Sequence, residues 1–308
     1  MSIGPMKPGI YRDMDAATYF ADPCEGPSLS QSLAKVILEH SLLHARAEHP
    51  RMDGVNLDDD DEAPEKYVKA QAIGDAAHRI MIGRGKTLEI IEADSFRSKE
   101  AKKERDAALT VGCMPILSKH YFDATRIAAA GRVQLDHHEY KDSFTSGSGE
   151  VVLIWQEDGV WFRSMLDWLH DDLLTVDDYK TSGMSMAPHL LGLRAESAGW
   201  HIQAAFIERG MDVLDPDNAG RRTFRFIAQE QYAPFAVSAM LMDEAWLTMG
   251  RKKVNRAVDL WKSAIKSGRW PGYPARGVTP EYPGYKEKQW LGRELSGEFE
   301  EIESLMGG

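Results

Sequence analysis

Apolar residues in the first 135 positions recur every three to four residues, which is the spacing of one helical face. This pattern predicts a helix that begins after Ser30 and a second, from about Glu65, that ends at Gly83. It also predicts a charged helix over 96–108 and a further helix over 118–133. We therefore expect a mainly helical N-terminal part over residues 1–135.

The pattern changes to short β-rich runs after a polar, glycine-rich connector over 143–149. Strands are predicted over 150–156, 160–170 and 173–180, and an antiparallel meander is their simplest arrangement. Glu157-Asp158-Gly159 is a tight-turn signal between the first two. A long helix over 188–209, with Leu193 and Gln203 on one side, and strands over 222–228 and 236–242 follow. Residues 150–242 thus predict a sheet of about five strands.

The C-terminal part, residues 243–308, begins with a helix over 243–267 whose core face includes Val254 and Trp261. An irregular segment rich in Pro, Gly and Tyr follows over 270–285, and then a short acidic helix. No internal repeat or low-complexity linker divides the chain. We predict a single domain over residues 1–308 of the α/β (α+β) class, with a mixed central sheet flanked by helices.

The strand predicted over 173–180 ends in charged residues. Side chains alternate across a strand, so Asp178 and Lys180 share a face with the apolar Val176, whereas Asp177 points the other way. Burying an unpaired carboxylate costs several kcal/mol. A lysine or a metal ion is therefore the expected partner of Asp178.

Composition is that of an ordinary globular protein, with 308 residues, 43% apolar and 28% charged. No apolar run is long enough to span a membrane, and the N-terminus lacks the apolar core of a signal peptide. The cytoplasm is the expected location. The two cysteines cannot hold an iron–sulfur or four-cysteine zinc site unaided.

The net charge of −11 argues against DNA binding spread over the whole surface. Acidic residues concentrate in a predicted loop over 53–65, and basic residues concentrate over 250–276. This basic run suits a groove for a polyanion, although a solvated helix face would have the same composition. The candidate DNA-binding residues are Arg251, Lys252, Arg256, Lys262 and Lys266.

Asp167 and Asp178 end neighbouring strands of the predicted meander, which suits a site for divalent-metal phosphodiester hydrolysis. Mg²⁺ prefers oxygen ligands and often takes one or two carboxylates, with waters and phosphate completing its shell. Lys180 would orient water or stabilise developing charge. Glu150 could add a carboxylate, and Gln203 on the following helix could hold a phosphate or the attacking water.

These residues resemble the PD-(D/E)xK nuclease superfamily, and specifically its RecE (exonuclease VIII) branch, over roughly residues 9–285. The metal motif is only part of the similarity, because an ordered series of motifs matches. They are Gly9-Ile10-Tyr11, Ser28-Leu29-Ser30-Gln31-Ser32-Leu33, Gly74-Asp75-Ala76-Ala77-His78, the charged run from Arg97 to Lys102, Gly112, Glu150, Asp167, Asp178-Tyr179-Lys180-Thr181, the run from Trp200 to Phe206, and Trp270-Pro271-Gly272-Tyr273.

The resemblance implies a restriction-endonuclease-like core and assigns roles to its residues. His78, Asp167, Asp178 and the backbone carbonyl of Tyr179 would be metal ligands for Mg²⁺, for which Mn²⁺ would substitute. Lys180 would be the catalytic lysine, and Gln203 would lie near the scissile phosphate. These roles require that His78, Asp167 and Asp178 converge within coordination reach. Many relatives have a tyrosine four residues after the glutamine, where this chain has Ile207.

The resemblance further implies a phage or prophage exodeoxyribonuclease that degrades one strand of linear duplex DNA from the 5′ end. A 3′ single strand would remain for a single-strand annealing protein, and such exonucleases often act as ring-shaped oligomers.

Several alternatives remain open at this stage. The core could support an endonuclease or the opposite polarity, or it could be a non-catalytic module that binds DNA or protein. Asp178 and Lys180 could form a surface ion pair at a strand end, and His78 could be an ordinary core histidine.

Overall fold

The structure is a computed structural model that describes residues 4–53 and 65–306, apart from the side chains of 65–68, 301, 303, 304 and 306. Most of the predicted acidic loop, including Asp58 to Glu62, lies outside the described residues. The chain divides into two compact units, Met1–Gly272 and Tyr273–Gly308, which are described separately. The single domain predicted over residues 1–308 stays a prediction.

Most helices of the first unit lie where the sequence predicts them. They are α1 (Ala16–Phe20), α2 (Gln31–Glu39), α3 (Leu42–Glu48), α4 (Glu65–Ile82), α5 (Lys99–Thr110), α6 (Ser118–Leu135), α7 (Pro188–Ala198), α8 (Trp200–Leu214) and α9 (Glu244–Ser267). The strands are β1 (Gly9–Tyr11), β2 (Ser28–Ser30), β3 (Leu88–Ile91), β4 (Met114–Leu117), β5 (Gly147–Glu157), β6 (Val160–His170), β7 (Thr175–Ser182), β8 (Thr223–Glu230) and β9 (Val237–Leu241).

Seven strands form one sheet within the described residues, in the order β1-β5-β6-β7-β8-β9, with β2 paired to β6 off this path. The run β5-β6-β7 is antiparallel, as the predicted meander requires. By contrast, β7 and β8 are parallel, because α7 and α8 carry the chain back across the sheet. The mixed sheet flanked by helices confirms the predicted α/β class. β3 and β4 form a separate parallel pair that the sequence analysis did not predict.

The start of β7 differs from the prediction. Leu173 has a φ of +58° and belongs to the turn before the strand, which begins at Thr175. The Asp172 carboxylate accepts the backbone N–H groups of Leu174 and Thr175 at 2.8 and 2.9 Å. This side chain competes with the ladder for those donors, so the turn extends two residues further than hydrophobicity alone indicates.

The prediction of a single helix over 188–209 is wrong, because Gly199 divides this segment into α7 and α8. Gly199 has a φ of +74°, a left-handed conformation that ends one helix and starts another. Leu193, predicted on the core side, is 68% exposed, whereas Leu191 and Ala195 are buried. An isolated glycine is tolerated inside a helix, so the apolar pattern did not reveal this break.

Helices α2, α8 and α9 pack on one face of the sheet. Trp155 of β5 and Phe206 of α8 lie at the centre of this core, with ring centroids 5.3 Å apart. A Cβ at Gly210 would lie only 2.7 Å from the Trp155 ring, so this glycine lets α8 approach the sheet closely. Gln203 lies two turns before Gly210 and thus faces the sheet as well.

A buried cluster centred on Asp22 holds β2 beside β6. The Asp22 carboxylate accepts hydrogen bonds from Ser28 of β2 and pairs with Arg163 of β6 at 3.2 Å. Its side chain is fully buried, and His49 lies 3.3 Å away. Burial opposes ionisation, but the contacts with His49, Arg163 and Ser28 lower the pKa of Asp22 to about 2. The β2 segment is therefore anchored by charge as well as by backbone pairing.

The second unit, Tyr273–Gly308, differs from the predicted C-terminal tail in its number of helices. It contains two helices, α10 (Gly284–Leu295) and α11 (Glu298–Met306), where one short acidic helix was expected. Arg293 of α10 donates to both carboxylate oxygens of Glu298, at 2.7 and 2.8 Å, across the turn between them. Across the described residues, no helix has the length and apolar character needed to cross a bilayer.

Candidate active site

The predicted site lies where β6 and β7 separate. On one edge of β6, β2 pairs with Trp161–Arg163, and β7 pairs only at Trp168 and Leu169. Residues 164–167 therefore have no strand partner on that edge among the described residues. Asp167 is the last residue of this open segment and lies directly before Trp168, where pairing with β7 begins.

Asp167 links β7 to α4. Its Oδ2 accepts the backbone N–H of Tyr179 at 2.9 Å and lies 3.0 Å from Nε2 of His78. Burial opposes its ionisation, but the charge of His78 and these hydrogen bonds lower the pKa of Asp167 to about 2. In turn, burial alone would lower the pKa of His78, and the Asp167 carboxylate raises it above the ordinary value. The two side chains thus form an ion pair.

Asp178 projects from the opposite face of β7 to Asp177, as strand alternation predicts. Its carboxylate accepts a hydrogen bond from Nε2 of Gln203 on α8 and lies 2.6 Å from Nζ of Lys180. Burial and the negative charge of Asp167 raise the pKa of Asp178 to about 6. The three predicted residues Asp178, Lys180 and Gln203 are therefore in direct contact, and Ile207, one turn beyond the glutamine, is buried in the core.

The donor set fits a hard divalent cation in its chemistry. It combines two carboxylates with an imidazole, and Oδ1 of Asp178 is buried without a hydrogen-bond donor in bonding geometry, although the Lys180 ammonium is close. However, no group of three or more His, Cys, Asp or Glu side chains in 4–53 and 65–306 is arranged to hold a metal ion. The required convergence of His78, Asp167 and Asp178 on one point is thus not observed. Instead, His78 pairs directly with Asp167, and Asp178 pairs with Lys180.

A bound cation would have to replace these internal ion pairs. It would take the place of the His78 proton and of part of the Lys180 contact, because a protonated imidazole cannot act as a ligand. The ligand roles of His78, Asp167, Asp178 and the Tyr179 carbonyl stay predictions.

Glu150 lies opposite Asp167 across the β5–β6 ladder. Gly149 pairs with Trp168 and Val151 pairs with Leu166, so Glu150 is displaced from the regular pairing and has a φ of +51°. Burial raises the pKa of its carboxyl group, and the charges of His78 and Asp167 also act on it. Glu150 and His78 line one cavity of about 410 Å³. The catalytic role of Glu150 stays a prediction.

The main cleft is a cavity of about 660 Å³ between α4 and the end of β7. His78, Asp167 and Lys180 line it, together with two residues that received no role from the sequence, Asp75 and Gln231. Asp75 lies three residues before His78 on the same helical face, so helical spacing could have identified it. Gln231 belongs to the loop after β8. It lies far along the chain from the other residues of the cleft, so no motif or spacing in the sequence indicated it.

Gly74 allows α4 to lie close to β7. A Cβ at this position would lie 2.7 Å from Oγ1 of Thr181 and 2.8 Å from Nε2 of Gln231. Nε2 of Gln231 donates to the Ala70 carbonyl at 3.1 Å and to Oγ1 of Thr181 at 3.0 Å, which ties the helix to the strand. The spacing between His78 and Lys180 therefore depends on this glycine.

We expect Gly74→Ala to reduce any hydrolytic activity of the cleft by about tenfold or more, because small displacements of site residues are costly. The control is Gly192→Ala in α7, where the new Cβ would make only an ordinary contact at 3.8 Å from Trp246. Initial rates of DNA hydrolysis and thermal unfolding should be measured for both variants. Equal rates for the Gly74 and Gly192 variants would show that the close approach of α4 is not needed.

The predicted DNA-binding helix, α9, has basic residues of two kinds. Arg251 donates to both carboxylate oxygens of Glu208 at 2.6 and 2.7 Å, and Lys262 lies 2.8 Å from Asp158. These two charges are already paired. Among the described residues, no ion pair involves Lys252, Arg256 or Lys266. Contact with DNA stays a prediction for all five, since α9 packs on α8 and the cleft lies beside α4.

Comparisons with known proteins agree with this architecture. A family model described as "PDDEXK-like domain of unknown function (DUF3799)" matches residues 92–277, a segment that contains Glu150, Asp167, Asp178, Lys180 and Gln203 but not His78. A search of the curated proteins returns no match.

Two solved structures resemble the chain. A crystal structure from Eubacterium rectale, described as a candidate exonuclease, has 11% identity and a TM-score of 0.54, over 88% of this chain and 96% of that one. LHK-Exo in complex with dAMP has 11% identity and a TM-score of 0.21, over 67% of this chain and 98% of that one. At this identity the first likeness shows the fold alone, and the second has too low a TM-score to support an argument.

Proposed function

The chain belongs to the family of PDDEXK-like domains, and on this premise we propose that it is a metal-dependent deoxyribonuclease that degrades linear double-stranded DNA from its ends. Membership confirms the superfamily predicted from the sequence, while the RecE branch remains a prediction. The observation that carries the proposal is the buried Asp178 carboxylate between Lys180 and Gln203, beside Asp167, at the point where β6 and β7 separate.

Each of these residues has a chemical role in the proposal. Asp167, Asp178 and His78 would hold Mg²⁺, or Mn²⁺ in its place, and the bound cation would supply a Lewis acid for the phosphate and an acidified water. The Lys180 ammonium would neutralise charge that develops on the phosphate oxygens. Gln203 donates a hydrogen bond to the Asp178 carboxylate and thereby holds it in position.

The finer features of the proposal rest on the resemblance to the RecE branch. They are 5′→3′ polarity, a remaining 3′ single strand, a single-strand annealing partner, a ring-shaped oligomer and a phage or prophage origin. The cleft itself is compatible with either polarity, because fold alone does not determine which DNA end is used.

The direct test is hydrolysis of a linear duplex compared with a covalently closed circle of the same sequence. With Mg²⁺ we expect nucleotides to be released from the linear form only, and EDTA to stop the reaction. Labels placed separately on the 5′ and 3′ termini then report polarity.

Cleavage of the closed circle would replace this proposal by an endonuclease. Absence of hydrolysis with Mg²⁺ and with Mn²⁺ would favour a non-catalytic module that binds DNA or protein.

A further inference from the structure

An aromatic ladder, which we define as Phe122 and Arg126 of α6 together with Phe235 of the loop after β8, lies on the exposed side of α6. The proposed catalysis assigns no role to this helix. Phe122 is 64% exposed. The Arg126 guanidinium lies 5.9 Å from the centroid of the Phe122 ring and 5.2 Å from that of Phe235. The three side chains therefore form a ring–guanidinium–ring stack, with Phe122 as its outer, accessible member.

The Phe235 end of the ladder is held in place by hydrogen bonds of its backbone. The Phe235 carbonyl accepts hydrogen bonds from the side-chain amides of Gln134 at 2.9 Å and Gln229 at 3.1 Å. The backbone N–H of Phe235 donates to the Tyr232 carbonyl at 2.7 Å. A binding surface that is ordered in advance loses little conformational entropy when a ligand binds.

The ladder is connected to the candidate active site through one loop. Phe235 lies in the loop 231–236 between β8 and β9, and Gln231 at the start of this loop lines the main cleft. On the neighbouring helix α4, Lys69 is exposed and directly precedes Ala70 and Gln71, which line the same cleft. A strand that leaves the cleft on this side would thus pass over α6.

Basic side chains lie on and beside this part of α6. Burial and the ammonium groups of Lys69 and Lys119 together lower the pKa of His120, so both lysines lie near this part of α6. Asp123 is the acidic group that also acts on His120. In the part of the chain that the structure describes, no ion pair engages Arg126. Its charge is therefore available to a phosphate, on a chain whose net charge is −11.

We propose that Phe122, Arg126 and Phe235 form a stacking site for single-stranded DNA beside the cleft. Unpaired bases offer their faces to an aromatic ring, whereas the bases of an intact duplex are stacked on each other. A base would stack on the outer face of Phe122, and the adjoining phosphates would meet Lys69, Lys119 and Arg126. This inference rests on the proposed function, because the cleft must produce or receive a single strand.

The test measures binding without hydrolysis, so it is independent of catalysis. The full chain in EDTA is titrated against a fluorescent oligo(dT) of about 16 nucleotides and against a blunt hairpin duplex. Phe122→Ala should weaken oligo(dT) binding by about tenfold, the range expected for loss of one base–aromatic stack, and should leave duplex binding unchanged. Phe122→Tyr should bind oligo(dT) as the parent protein does. The control is Val133→Ala, which removes an exposed apolar side chain elsewhere on α6.

Two results would overturn the stacking site. One is that Phe122→Ala leaves oligo(dT) binding unchanged, or that the parent protein does not bind oligo(dT). The other is an equal loss of single-stranded and duplex binding, which would indicate contacts to phosphate without stacking. A chain that hydrolyses no DNA but binds oligo(dT) through Phe122 would refute the proposed function and keep the stacking site.

Discussion

Asp178→Asn is expected to abolish DNA hydrolysis and stabilise the folded protein, whereas Asp177→Asn is expected to preserve hydrolysis and destabilise it. The two residues are adjacent in the chain but lie on opposite faces of β7. Asp178 contacts Lys180 and Gln203 in the candidate site. Asp177 is bound by Arg225 and His170 on the other side of the sheet.

The stability effects follow from the direction of each pKa shift. The folded protein raises the pKa of Asp178 from 3.8 to about 6, so ionised Asp178 destabilises it. A neutral asparagine should raise the free energy of unfolding at pH 7 by about 1–3 kcal/mol, because one pKa unit corresponds to about 1.4 kcal/mol. Burial opposes ionisation of Asp177 as well, but His170 and Arg225 lower its pKa, so its charge stabilises the fold above pH 4 or so.

Hydrolysis should fall by about a thousandfold or more in Asp178→Asn, because a neutral amide is a poor metal ligand and no longer attracts Lys180. Asp177→Asn should retain its rate per folded molecule. Urea unfolding across pH adds a second measurement. The advantage of the Asp178 variant should develop between about pH 4 and pH 6, where the parent carboxyl ionises in the unfolded chain before it does in the folded one. Full activity in Asp178→Asn would refute the assigned site.

The second large effect is expected from Arg225→Met. Arg225 donates its Nε and Nη2 to the two oxygens of Asp177, which is fully buried, and its Nη1 to Asp142 at 3.0 Å. Methionine would preserve much of the side-chain volume and leave a buried carboxylate without its cation. We expect the free energy of unfolding to fall by about 3–5 kcal/mol.

A double variant separates the loss of charge balance from the loss of packing. Asp177→Asn combined with Arg225→Met should recover part of the stability lost by Arg225→Met alone, since neither charge remains buried. Arg221→Met is the control, because Arg221 is exposed and its guanidinium donates to the nearby Asn218, three residues earlier, at 3.0 Å. Urea denaturation of Asp177→Asn, Arg225→Met, the double variant and Arg221→Met provides the free energies. A loss below about 1 kcal/mol for Arg225→Met would mean that the buried pair contributes little to stability.

Sequence patterns predicted those parts of the fold that local chemistry controls. Strand alternation placed Asp178 and Asp177 on opposite faces, and the structure confirms this placement. The run Pro27-Ser28-Leu29-Ser30 predicts a helix N-cap, and in the structure the Ser30 hydroxyl accepts the Leu33 N–H at 3.3 Å. The α9 face with Val254 and Trp261 is buried as its periodicity required. These features depend on residues within one or two turns of each other.

Long-range contacts were less accessible to sequence reasoning. The break at Gly199, the β3–β4 pair and the second of the two helices after residue 283 were not predicted, because each left the local pattern nearly unchanged. Gln231 had no signal, since its partners Ala70 and Thr181 lie far away in the chain. The same is true of the ladder formed by Phe122, Arg126 and Phe235.

By itself, then, the sequence determined the class of the fold and the faces of its strands, and it indicated the residue types of a candidate metal-dependent site. Alternation and helical periodicity are steric properties of the local backbone, so one chain is enough to reveal them. Only the tertiary structure decided that β2 pairs with Trp161–Arg163 of β6 and that Asp167 is left at the opening. It also decided that His78 pairs with Asp167 while Asp178 pairs with Lys180, because ion pairing depends on distances across the fold.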